Sequence, residues 1–174
     1  VIAGPGTGKT KTLVSRIAYL IQNRGVKPSE ITAVTFTNKA AGEMRERLEK
    51  QLGGKRAVRA MTIGTFHAIC LQLLTEHTQG VNLLDEYEAR EIADEIGKAH
   101  ACKLSPTAFL QEVSRRKNGL EPSESAFSSE AFDAYQECLH TANVLDFDDL
   151  LLQAVAMAEA ETEKNAKWAK RFHY

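Results

Sequence analysis

The sequence predicts an α/β protein in which helices flank a parallel sheet and an all-helical insertion follows it. Over the first 74 residues apolar β-branched segments alternate with helical patterns, Gly and Pro separate these segments, and after Thr75 the patterns are helical only. Repeated strand–loop–helix units favour parallel strands, because each helix returns the chain to the starting end of the sheet. We expect three parts: 1–74 as the first part of the sheet domain, 75–145 as the helical insertion, and 146–174 as a return to the sheet domain.

The sheet domain contains three candidate strands. The first ends at Val1 and Ile2, the second covers 31–38 (ITAVTFTN), and the third covers 57–66 (AVRAMTIGTF). Each leads into a segment with apolar residues at helical spacing. These predicted helices cover 9–22, 39–52 and 67–77.

The insertion and the final part contain helical patterns separated by turn-forming residues. The predicted helices cover 85–100, 105–118, 129–142 and 145–161. The last of them begins with three carboxylates, Asp146, Asp148 and Asp149. We predict that Asp146 is the helix N-cap and that the other two acids lie in the first turn, where they favour the helix dipole.

Composition excludes several classes of protein. The formal net charge is −1, so any nucleic-acid binding requires a local basic patch. Cys70, Cys102 and Cys138 are odd in number and scattered, which argues against a disulfide framework or a zinc site and favours a reducing, cytoplasmic compartment. No segment has the apolar length of a membrane span, so no membrane partner is expected.

The stretch AGPGTGKT, from Ala3 to Thr10, has the pattern of a phosphate-binding loop. It follows a strand candidate and opens a helix, where free N–H groups and the positive end of the helix dipole meet an anion. Lys9 supplies charge to the phosphates, and the Thr10 hydroxyl can ligate Mg²⁺. Ala3 replaces the first glycine of the motif, and the alternative is a glycine-rich turn without a ligand. The residues predicted to bind the nucleotide and Mg²⁺ are Ala3, Gly4, Pro5, Gly6, Thr7, Gly8, Lys9 and Thr10.

Polar and aromatic residues follow the second and third strands at their carboxyl ends. These are Thr35, Phe36, Thr37 and Asn38 after one strand, and Thr65, Phe66 and His67 after the other. Ligands of open parallel sheets bind at that edge, aromatic rings stack on bases, and small polar groups hold backbone phosphates. This pattern suits single-stranded nucleic acid. The alternatives are that the two phenylalanines are core residues, Thr35 only a β-former, Asn38 a helix N-cap, and His67 a buried structural histidine.

Two basic clusters are compatible with a nucleic-acid partner. Between residues 39 and 59, seven Lys and Arg face three Glu, and residues 115–117 form a second cluster, RRK. Solvated helix faces with ion pairs one turn apart are the alternative explanation for both. The second cluster could also hold duplex phosphates.

Four stretches in order resemble the start of UvrD/Rep/PcrA-type superfamily 1 DNA helicases: AGPGTGKT, TFTNKAAGEMRERL, GTFHAICLQLL and LDFDDLLLQA. The resemblance covers nearly the whole chain and is strongest in residues 1–74 and 145–154. It implies an ATP-driven motor that moves 3′ to 5′ along single-stranded DNA and separates the duplex ahead. It further implies a RecA-like P-loop NTPase sheet, called 1A, in residues 1–74 and 146–174, with a helical insertion, called 1B, in 75–145 that touches the single-strand/duplex junction.

The resemblance also implies roles for individual residues. Phe36 would stack on a base, Thr37 and Asn38 belong to the same motif, and Thr65, Phe66 and His67 would hold the DNA backbone. Lys11 stands where members often carry an arginine near the adenine. A lysine cannot stack as a planar guanidinium does, so this base contact is weakened.

A phosphate-loop ATPase also needs an apolar strand ending in Asp-Glu, which completes the Mg²⁺ shell and orients water. Asp146 does not fit this role, because only Val144 and Leu145 precede it as an apolar run. In the resembling family the acidic strand (Walker B) follows a segment like Arg171 to Tyr174. We therefore expect a fragment that lacks this strand, the upstream glutamine motif, the second RecA-like domain and its arginine fingers, so that hydrolysis and unwinding are negligible.

The sequence leaves three other functions open. One is the helicase subunit of a recombination helicase–nuclease. Another is a nucleotide-gated DNA-binding module that does not hydrolyse ATP. The third is a small-molecule kinase with a helical lid, for which Arg115 and Arg116 are the obvious lid arginines and the two strand-end motifs are unexplained.

Overall fold

The computed structural model describes residues 8–78, 80–123, 126–160 and 170–174. The predicted strand end at Val1 and Ile2 and the loop residues Ala3 to Thr7 lie outside this part of the chain. The helices are α1 (Lys9–Arg24), α2 (Asn38–Leu52), α3 (Lys55–Ala60), α4 (Phe66–His77), α5 (Glu86–Ala99), α6 (Pro106–Lys117), α7 (Ser129–Ala142) and α8 (Phe147–Glu159). The strands are β1 (Thr32–Thr35) and β2 (Thr62–Thr65).

The chain forms two compact units. The first comprises residues 1–69 together with 157–174, and the second comprises 70–156. These boundaries differ from the predicted ones at 74/75 and 145/146, and most of α8 belongs to the second unit. The assignment of the two units to 1A and 1B stays a prediction.

The first unit contains a small parallel sheet, which confirms the predicted α/β class in its coarse form. β1 pairs with β2 in register from Thr32 opposite Thr62 to Thr35 opposite Thr65. Helices α1 and α2 supply most of the remaining core around Ile31 and Ala33. The RecA-like topology itself stays a prediction.

The prediction of a strand over 57–66 is wrong for its first half. Residues 55–60 form α3, which buries Val58 and leaves Lys55, Arg56 and Arg59 exposed. Ala and Arg are strong helix formers, and β-branched residues become dense only from Thr62 onward. The strand therefore begins where the β-formers begin.

The chain's last residue pairs with the start of β1. Tyr174 donates its N–H to the Glu30 carbonyl at 3.2 Å, and its carbonyl accepts from the Thr32 N–H at 2.9 Å. These two bonds flank Ile31 and have the pattern of a parallel bridge. The Thr32 hydroxyl adds a bond to the Arg171 carbonyl at 2.6 Å. Backbone at the end of this unit thus lies along the start of β1.

The second unit is helical, as its patterns predict. Its core packs Phe109 of α6 edge-on against Phe127 and Tyr135, with ring centroids 5.1 and 6.0 Å apart. Asp85, Ser105 and Ser128 cap α5, α6 and α7 with side-chain oxygens, and these caps set where each helix begins. Among the described residues no helix is long and apolar enough to span a membrane.

Candidate nucleotide and nucleic-acid sites

The start of α1 has no side-chain cap among the described residues. Gly8 precedes the helix in the left-handed region, with φ of 80°. The first turn contains no acidic residue, and Lys9, Thr10 and Lys11 are exposed. This helix end keeps the positive potential that favours a phosphate. Residues 3–7, which complete the predicted loop, lie outside the described part of the chain.

The chain after β1 presents an aromatic ring and begins a helix at once. Phe36 has a fully exposed side chain, at 101% of its reference area. Thr37 is the N-cap of α2, and its hydroxyl oxygen accepts from the Ala40 N–H at 3.1 Å. Asn38 is the first residue of that helix, so the alternative that Asn38 is the cap is wrong. The hydroxyl of Thr37 can accept this bond and still donate its own proton outward.

The chain after β2 repeats this arrangement. The Thr65 hydroxyl oxygen accepts from the Ala68 N–H at 3.2 Å, which caps α4 in the same way. Phe66 is 64% exposed, and His67 is half-buried. The alternative that the two phenylalanines are core residues is therefore wrong.

The register brings the two strand ends to one edge of the sheet. Thr35 stands opposite Thr65, so the exposed phenylalanines that follow them leave the sheet at the same level. The Thr35 hydroxyl lies 3.0 Å from the Thr37 carbonyl and 3.5 Å from the Gly64 carbonyl, so it can donate to either. We call residues 35–38 and 65–67 the strand-end rim. Its exposed aromatic faces and capping hydroxyls can stack on bases and bind phosphates.

Arg45 of α2 supports the rim from the side of β2. Its guanidinium donates to the Ile63 carbonyl, in the strand that leads to Thr65. The helix that begins in the rim therefore also fixes the neighbouring strand. A lone Arg in a basic segment gave no signal of this role in the sequence.

Asp146 caps α8, as predicted. Its carboxylate accepts from the Asp149 N–H at 2.9 Å. The carboxylates of Asp146 and Asp149 also bind Lys117 of α6, at 2.6 and 2.7 Å. The Lys117 side chain is only 2% exposed. We call Lys117, Tyr135, Asp146 and Asp149 the α6–α8 clasp, since the Tyr135 hydroxyl lies 3.5 Å from Asp146. These carboxylates join α8 to α6 through Lys117.

Burial sets the protonation behaviour of the α6–α8 clasp. Desolvation raises the pKa of Asp149, with the Asp146 charge adding to the effect and Lys117 opposing it. Desolvation likewise raises the pKa of Tyr135, so its hydroxyl stays protonated. Among the described residues no group of three or more His, Cys, Asp or Glu side chains could hold a metal ion.

The basic cluster at 115–117 is engaged within its own unit. Besides Lys117, Arg115 donates to the Glu121 carbonyl at 3.0 Å and lies 3.9 Å from the buried Glu112 carboxylate. Arg116 donates to the Ser129 hydroxyl at 3.0 Å and stacks over the Phe132 ring at 4.6 Å. All three cations have partners within the second unit, and the alternative that they hold duplex phosphates stays a prediction.

The UvrD/REP helicase N-terminal domain family matches residues 1–174, the whole chain. This chain belongs to the UvrD/REP helicase family. The family assignment agrees with the order of the phosphate-loop, rim and α8 motifs along the chain.

Individual relatives agree with the family match. An ATP-dependent DNA helicase UvrD1 from Mycobacterium leprae is 36% identical, over 100% of this chain and 25% of the relative. An ATP-dependent DNA helicase PcrA from Staphylococcus aureus is 31% identical, over 100% of this chain and 26% of the relative. The ATP-dependent DNA helicase SRS2 from Saccharomyces cerevisiae is 37% identical, over 87% of this chain and 16% of the relative. The chain thus spans about a quarter of the length of the first two relatives and 16% of the third.

Proposed function

We propose that this chain is the N-terminal ATP- and DNA-binding part of an ATP-dependent DNA helicase that moves 3′ to 5′ along single-stranded DNA. Family membership supports the helicase class. The observation that carries the DNA-binding part is the strand-end rim, where Phe36 and Phe66 are exposed after paired residues of β1 and β2. Two such rings on one edge suit a strand whose bases are unpaired.

In this proposal residues 3–11 bind ATP with Mg²⁺. The N–H groups at the start of α1 and the Lys9 ammonium hold phosphate oxygens, and the Thr10 hydroxyl is the metal ligand. Lys11 lies near the base. Bound nucleotide supplies the free energy of phosphate transfer, while these residues bind and orient it. The exposed start of α1, which has no acidic residue in its first turn, fits this ligand.

The strand-end rim holds the DNA by two kinds of contact. Phe36 and Phe66 stack on bases without regard to sequence. Thr37 and Thr65 each accept a helix N–H bond with one lone pair and donate the hydroxyl proton to a phosphate oxygen. Asn38 and His67 contribute further donors. The rim is thereby rigid before DNA arrives, because helix capping already orders both hydroxyls.

In the parent protein, the ATPase site is completed by the acidic strand and by the second RecA-like domain with its arginine fingers. The helical unit contacts the single-strand/duplex junction. The water-orienting acid and the arginine finger each change the rate of ATP hydrolysis by orders of magnitude. The parent acts in DNA repair, replication or recombination. A recombination helicase–nuclease subunit is an alternative parent.

Binding of a fluorescent oligothymidine tests the proposal. We expect this chain to bind the single strand more tightly than a duplex of the same length, with affinity that falls as salt rises. ATP–Mg²⁺ should bind the same chain, and Lys9→Ala should abolish nucleotide binding while leaving the oligonucleotide bound. A chain that binds ATP–Mg²⁺ but no single strand contradicts the DNA part of the proposal.

A further inference from the structure

A groove between α1 and α2 brings three cationic side chains around one cavity of about 450 Å³. Lys11 comes from the first turn of α1, and Arg47 and Lys50 come from the second half of α2. Val14 and Gln51 complete the lining. The fold therefore places Lys11 of α1, the helix that follows the phosphate loop, next to α2, the basic helix that begins at the strand-end rim.

Among the described residues the lining of the groove contains three cations and no carboxylate. Glu43 lies 3.6 Å from Arg47, and both side chains are half-exposed, so this pair is weak. Within the described part of the chain, Lys11 and Lys50 form no ion pair. This contrasts with the cluster at 115–117, whose cations have internal partners.

The position of the groove along α2 favours an extended ligand, because Arg47 and Lys50 lie on the helix that begins at the strand-end rim. Its cations sit on long flexible side chains from two helices, along a lining that includes apolar Val14. A compact phosphate would need several donors that converge on one point. A chain of phosphates needs only positive charge spread along its path.

We propose that the α2 side of this groove, Arg47 and Lys50, binds the phosphate backbone of single-stranded DNA as a second contact beyond the strand-end rim, while Lys11 stays with the nucleotide. The proposal rests on the proposed function, because the same strand occupies both. Arg47 lies nine residues along α2 from Asn38, which is about 14 Å at about 1.5 Å per residue. A B-form strand rises about 3.4 Å per nucleotide and an unstacked single strand extends further, so about two to four nucleotides span this distance. A strand held at the rim reaches the groove once it is longer than this.

The test compares a double substitution, Arg47→Gln with Lys50→Gln, against a matched control, Lys55→Gln with Arg59→Gln. The control residues are exposed cations of α3 that do not line the groove. Fluorescence anisotropy gives the Kd of oligothymidines of about 2 and about 16 nucleotides across a salt series. For the long strand we expect the log–log salt slope to fall by about 1.4 in the groove variant, since each lost contact removes about 0.7. The short strand should lose no slope.

Each other outcome counts against the groove. An unchanged slope for the long strand, an equal loss for both lengths, or the same loss in the control overturns the proposal. A fall in ATP affinity with an unchanged DNA slope assigns the groove to the nucleotide and also overturns it. Phe36→Ala separates the two proposals, because it should weaken both lengths through the rim. If neither oligonucleotide binds the unsubstituted chain, the proposed function itself fails.

Discussion

Phe36 leaves its whole ring in solvent, although a phenylalanine after a buried strand is ordinarily a core residue. Removing the ring should cost the fold little, since the ring buries no surface within its own unit. We expect Phe36→Ala to weaken single-stranded DNA binding by about 1–3 kcal/mol, the usual value of one stacked base. Anisotropy titrations measure this, and Tyr87→Ala, which removes an exposed ring from the helical unit, is the matched control. Unchanged affinity would remove Phe36 from the DNA path.

Thr37 and Asn38 are neighbours with different structural roles. Thr37→Val removes the cap of α2 and should lower the free energy of unfolding by about 1 kcal/mol, whereas Thr37→Ser keeps the hydroxyl and the stability. Asn38→Ala should cost no stability, because the residue is the first of the helix and exposed. Urea unfolding followed by circular dichroism separates these variants. A loss in Asn38→Ala equal to that in Thr37→Val would contradict the assignment of the cap.

The α6–α8 clasp joins two helices through buried charge. Lys117→Met should lower the free energy of unfolding at neutral pH by about 3–5 kcal/mol, because it leaves two carboxylates largely buried without their cation. Lys103→Met, at an exposed lysine, is the control and should cost little. Urea unfolding at neutral pH measures both. A small effect of Lys117→Met would show that the pair contributes no net stability.

The pH dependence of the α6–α8 clasp has a defined sign. Burial raises the folded-state pKa of Asp149, so its contribution to stability is present below the unfolded pKa of about 3.9 and is lost as pH rises through the folded pKa. Asp149→Asn removes this titration. We therefore expect the variant to gain stability relative to the original chain as pH rises from acid to neutral, measured by urea unfolding at each pH. A relative loss over that range would reverse the sign.

Local sequence patterns predicted where each helix and strand lies better than which residues it contacts. Helical periodicity located α5 to α8, and the acids after Leu145 predicted the Asp146 cap, because both depend on residues within one or two turns. The same periodicity could not show that Lys117 binds those acids, since a basic run of three looks solvated in sequence. The strand over 57–66 was half wrong because Val58 can serve a buried helical turn as well as a strand. For the strand-end rim, the expected parallel sheet predicted that its two halves lie at the same edge. The exposure of Phe36 could not be predicted, because it depends on how the folded chain packs.

The arrangement of β1 bears on the whole molecule, because this strand has partners on both sides. β2 pairs with one edge, and Tyr174 makes the two hydrogen bonds of a parallel bridge around Ile31. Where the parent chain continues past Tyr174, a strand in this register would place its fourth further residue opposite Thr35, at the level of the rim. Carboxylates at that edge would face the site proposed for ATP–Mg²⁺.

The parent reading frame therefore gives the last prediction. We expect an apolar run after Tyr174 that ends in Asp-Glu within about ten residues, the acidic pair that a phosphate-loop ATPase requires. Phosphate-release assays should show DNA-stimulated ATP hydrolysis by the full-length parent, and replacing that Glu by Gln should lower its kcat by orders of magnitude while nucleotide still binds. A stop codon or a polar linker after Tyr174 would instead favour a nucleotide-gated DNA-binding module. Because the bridge to Ile31 already sets the strand's register, the same substitution should leave the thermal stability of the parent nearly unchanged.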